Sequence, residues 1–117
     1  MIYQKDWLMR QIESMIAAIM HFLFHVGENT EDTSEMLQNR NEQIDDYLIN
    51  GDICGAEDWL FENLDTSDTK WLNLAIHFYS EVNKFSDTYL EEHNFSREEI
   101  SSGLTYVCQQ YGYQDIL

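Results

Sequence analysis

Gln4-Lys-Asp-Trp-Leu-Met-Arg-Gln-Ile-Glu-Ser-Met-Ile-Ala-Ala-Ile-Met-His-Phe-Leu-Phe-His-Val26 decides the fold class of this chain. Its apolar residues Leu8, Ile12, Met15, Ile16, Ile19, Phe22, Leu23 and Val26 recur in steps of three and four, the period of one face of an α-helix. Met9, Met20 and Phe24 widen that face and leave Gln4, Gln11, Ser14, Ala18, His21 and His25 as a narrow polar strip, after which Gly27 supplies a stop. The apolar run from Met15 to Phe24, interrupted by His21, is about half of the ~20 residues that a membrane span needs. Asp6 and Glu13 ahead of it, and His25-Val-Gly-Glu28 behind it, match neither the basic start nor the small-residue cleavage site of a secretory leader. A cytoplasmic protein with no membrane association is the expectation.

Outward from this helix the punctuation is made by Gly, Asn, Asp, Ser and Thr, since the chain has no proline. Residues 28–33, ENTEDT, read as an acidic loop, and Asp32 with Glu35 as a capping box for a second helix that carries Leu37, Ile44, Tyr47 and Leu48 to Asn50-Gly51. Asp52 caps a third helix with Ile53, Ala56, Leu60 and Leu64 on one face and Trp59 beside it. After Asp65-Thr-Ser-Asp68 a fourth helix bears Trp71, Leu72, Ala75, Ile76, Phe78, Tyr79, Val82 and Phe85, apolar on more than one side, and so belongs at the centre. Ser86 to His93 makes one or two further turns. Ser96-Arg-Glu-Glu99 is the cleanest capping box, opening a last helix with Ile100, Leu104, Val107, Cys108 and Tyr111 inward and Gly112 at its end. The expected fold is all-α: about five helices in antiparallel hairpins, one domain over 1–117, with a long N-terminal helix in 1–27, hairpins over 34–112 and a frayed tail over 113–117.

Composition narrows the function. Hydrophobic residues at 44% and aromatics at 14% are enough for a packed core despite a net charge of −16. The six cations, Lys5, Arg10, Arg40, Lys70, Lys84 and Arg97, are scattered, so no basic patch exists to hold nucleic acid. The acidic balance repels anionic lipid and favours encounter with a basic partner. Cys54 and Cys108 form no CxxC pair and read as small buried residues of a reducing compartment.

Tyr47-Leu-Ile-Asn-Gly51-Asp-Ile-Cys-Gly-Ala56-Glu-Asp-Trp-Leu60 is similar to the middle of a tetratricopeptide repeat, in which a glycine turn joins antiparallel helices that a small residue, here Ala56, lets approach. A shift of 34 residues superposes Leu37 on Trp71, Ile44 on Phe78 and Leu48 on Val82, but Ala56 falls on Leu90 and Leu60 on Asn94, so a repeat-like central hairpin is expected, not an array. Tyr3-Gln-Lys-Asp-Trp-Leu-Met-Arg-Gln-Ile12, Gly51-Asp-Ile-Cys-Gly-Ala-Glu57, Phe85-Ser-Asp87 and His93-Asn-Phe-Ser-Arg-Glu-Glu-Ile100 together resemble an uncharacterised family of short proteins from Gram-positive bacteria. That resemblance implies helices and no particular activity.

Candidate chemistry is sparse. His21 and His25 stand four apart on one helix face, a spacing that can bind a transition metal, but no glutamate adjoins His21 as in HExxH and no third ligand is evident. The acidic runs at 28–35, Asp45-Asp46 and Glu91-Glu92 lack the ligand order of an EF-hand loop. No nucleophile motif or phosphate loop is present. Asp6 and Arg10 can pair at i, i+4, with Trp7 beside them as an anchor of the type that interfaces favour.

A helix apolar around most of its circumference needs cover on more than one side. The expectation is a homodimer made by an isologous, antiparallel contact, with Leu8, Ile12, Ile19 and Leu23 on one side, Met9, Met20 and Phe24 on the other, and Trp7 as anchor. The functional expectation is a non-catalytic interaction or adaptor module for a protein partner, without cofactor. Two alternatives stand beside it: a small metal protein or enzyme using His21 and His25, and an acidic mimic that occupies a basic surface.

Overall fold

The computed structural model describes residues 6–26 and 42–113, which form six helices and no strand. They are α1 (Asp6–Val26), α2 (residues 42–49), α3 (Ile53–Asn63), α4 (Thr69–Val82), α5 (Asp87–Glu92) and α6 (Arg97–Gln110). The expected acidic loop, the Asp32–Glu35 box, Leu37 and the last four residues lie outside the described residues. The all-α expectation holds, with the short segment after Ser86 counted as a helix of its own.

Side chains placed one residue ahead of α3, α4, α5 and α6 start these helices. Asp52 accepts from the Gly55 amide at 3.0 Å, Asp68 from Lys70 at 2.9 Å, and Ser86 from Tyr89 at 3.1 Å, each satisfying a first-turn donor with no intrahelical partner. At α6 the Ser96 hydroxyl accepts from the Glu99 amide at 3.2 Å and donates to the Glu99 carboxylate at 3.1 Å. The box is thus closed through the hydroxyl.

Three helices end in the same way. Asp52 N–H reaches Tyr47 C=O and Gly51 N–H reaches Leu48 C=O, with Gly51 at φ 75°. Phe95 to Leu90 with Asn94 to Glu91, and Tyr113 to Cys108 with Gly112 to Gln109, repeat this pair of bonds around Asn94 at φ 61° and Gly112 at φ 76°. This is the Schellman cap, whose penultimate position must be left-handed and so takes Gly or Asn. Asn94 acts as a stop that its sequence context does not announce.

α4 occupies the centre, packed against α3, α6 and α1, while α1 also packs on α6. Its side chains Trp71, Leu72, Leu74, Ala75, Ile76, Phe78, Tyr79 and Val82 are all buried. Phe78 meets Tyr79 and Phe95 edge-on, and Trp59 of α3 leans on Trp71. The shortest dimension, 20 Å, corresponds to two helix layers of about 10 Å each.

One buried cation fastens the helices to each other. Arg97 is 4% exposed, and its guanidinium donates to Asn83 C=O at 2.7 Å, Asn83 Oδ1 at 3.1 Å, Phe85 C=O at 2.9 Å and Asp87 Oδ1 at 2.6 Å. Asn83, 3% exposed, donates its own amide to Met9 C=O of α1 at 3.2 Å. Arg97 therefore holds the α4–α5 connection, and through Asn83 the start of α1. At the other end Tyr111 Oη lies 2.9 Å from Asp65 C=O and 2.7 Å from Asp68 C=O, so its single proton serves the α3–α4 loop.

Candidate functional site

Side chains of three helices meet at the seam between α3 and α6. Both helices pack on α4, and since α3 and α6 each run antiparallel to it they run parallel to one another. Side chains bridge the space between them at three levels. At the first, the Cys54 thiol faces the carbonyls of Asn94, at 3.5 Å, and His93, at 4.0 Å. In the middle, Tyr79 rises from α4 and donates to Glu57 Oε2 at 2.6 Å. At the far level, Phe61 meets Tyr106 with ring centroids 5.2 Å apart.

Tyr79 reaches Glu57 only because residue 103 of α6 is glycine: a Cβ there would run into the Tyr79 hydroxyl and ring. The result is a closed seam: Tyr79 is fully buried against Gly103, with Cys54, Glu57 and Phe61 on the α3 side and Glu99 and Tyr106 on the α6 side. Its electrostatics are one-sided. Burial raises the Glu57 pKa, and Glu99 and Asp58 raise it further, while the bond from Tyr79 opposes them. The Cys54 thiol is pushed up first by partial burial and then by Glu99, Glu57, Asp58 and Asp52. A thiol held in its protonated form is a poor nucleophile. Burial and Glu57 likewise keep the Tyr79 hydroxyl protonated.

Beside the Cys54 end of the seam His93 stacks on Tyr89, ring centroids 4.0 Å apart, and its Nδ1 donates to Tyr89 C=O at 2.8 Å. This leaves Nε2 facing Gly51, where an added Cβ would come within 3.0 Å. On the far side of α4, His77 Nε2 and Asp45 Oδ1, 3.1 Å apart, tie it to α2.

The residues singled out from the sequence are dispersed. Leu8, Ile12 and Ile19 are buried inside the single chain, because α4 and α6 together cover the broad side of α1. They cannot also present themselves to a second copy, which corrects that part of the expected surface. Met9 is half-buried, whereas Met20 and Trp7 are exposed, at 56% and 64%. The side chains of Leu23, Phe24 and His25 lie outside the described residues. His21 is exposed, and among the described residues no group of three or more His, Cys, Asp or Glu is close enough to hold a metal ion. Cys108 is buried as expected, its thiol pushed up to about 11, but Cys54 is exposed because Ile53 and Ala56 take the inward positions of α3. Tyr113, read as frayed tail, packs against Phe22 at 4.7 Å.

Among the described residues no helix is long and apolar enough to cross a membrane. No curated protein and no solved structure matches the chain. A family model does match, over residues 2–112. Of the stretches that resemble an uncharacterised family, Gly51–Glu57 and His93–Ile100 touch each other, while Phe85–Asp87 is held by Arg97. The chain belongs to the family of unknown function DUF6483.

Proposed function

We propose that the protein acts by docking: a non-catalytic interaction module of the cytoplasm that pairs with a second copy through the outer flank of α1 and offers its helical hairpins to a protein partner. One contrast carries this reading. The polar groups that the fold takes out of water, Arg97, Asn83, Tyr79 and Tyr111, spend their hydrogen bonds on the chain itself, whereas Trp7, Met20, Ile49 and Tyr106 remain in water at 45–80% exposure. Satisfied polar groups hold a scaffold together; large exposed apolar groups gain free energy by being covered.

Met9 and Met20 share a flank of α1 beside its buried stripe, which supports an isologous helix-to-helix contact. Methionine suits such a contact, being flexible and apolar. The α2–α3 hairpin, turning at Gly51 with Ala56 fully buried, supports the tetratricopeptide-like reading of the central pair. Light scattering on the eluting peak of a gel-filtration run tests the pairing. A mass of twice 13.9 kDa at micromolar concentration is expected, and 13.9 kDa would overturn it.

A further inference from the structure

We draw no further inference here: the strongest candidate, the acidic side-chain cluster of Glu57, Asp58 and Glu99 at the α3–α6 seam, lies on a surface already closed by the buried Tyr79, and among the described residues no second observation points to a ligand for it.

Discussion

Replacing Arg97 by Met separates two accounts of what this buried cation does. If the ion pair with Asp87 dominates, either partner can be removed at similar cost. If the backbone bonds dominate, only the loss of Arg97 matters. The structure favours the second, because the Asp87 side chain is 45% exposed and can be rehydrated, whereas Arg97 is 4% exposed. Arg97→Met strands the carbonyls of Asn83 and Phe85, and each buried acceptor left without a donor costs about 1–3 kcal/mol. The methionine offsets part of this by filling the space, and the desolvation cost of the guanidinium disappears. A net loss of about 3 kcal/mol or more is expected, less than the about 5–15 kcal/mol that a domain carries, so the variant folds and can be titrated. Asp87→Asn keeps a side-chain oxygen as acceptor for the guanidinium, whose bonds to Asn83 and Phe85 also remain, and should cost about 1 kcal/mol. The assay is urea unfolding followed by circular dichroism, with unchanged slopes showing that the unfolded states are comparable. Equal losses in the two variants, or a loss below about 1 kcal/mol for Arg97→Met, would refute the reasoning.

Three further outcomes follow from the α3–α6 seam and the caps. The folded chain binds a proton at Glu57 more tightly than the unfolded chain, so this group adds stability in the ordinary glutamate range and below, and removes it as pH rises through the elevated folded-state pKa. Glu57→Gln should therefore melt higher than wild type at about pH 8, with the gap narrowing towards about pH 5, a range above the pI of 4.2; a gap independent of pH would contradict this. Gly103→Ala should cost about 1–3 kcal/mol in urea by displacing Tyr79, and the double variant with Tyr79→Phe should be less destabilised than the sum of the singles; strict additivity would mean that the two do not touch. Gly51→Ala, at φ 75° and facing the His93 ring, should lose about 1–2 kcal/mol, and an unchanged melting temperature would argue against the left-handed cap.

The helical architecture was legible because its signals are local. Steps of three and four mark α1 and α4, and Asp52, Asp68 and Ser96 stand where the helices begin. What covers α1 was not legible, since the width of an apolar face does not say how much of it neighbours in the same chain will take. α4 and α6 take Leu8, Ile12 and Ile19, which the sequence reading assigns to the contact with a second copy, together with Ile16. Arg97 left a trace that went unread: it lies three and seven residues before Ile100 and Leu104, on the same inward stripe. Its acceptors are backbone carbonyls, which have no signature in sequence. The α3–α6 seam was invisible for a related reason. It depends on a tyrosine of one helix passing a glycine of a second to reach a glutamate of a third, a coincidence that no spacing encodes.

The docking account is tested most directly by the solution mass of the wild-type chain beside that of Met20→Glu, measured by light scattering at equal micromolar concentration. Met20 is 56% exposed, so a glutamate there leaves the core untouched while placing a charge on the outer flank of α1. The account predicts a wild type at twice 13.9 kDa and a variant at 13.9 kDa with the same melting temperature. A monomeric wild type, or a variant that stays paired, would contradict it.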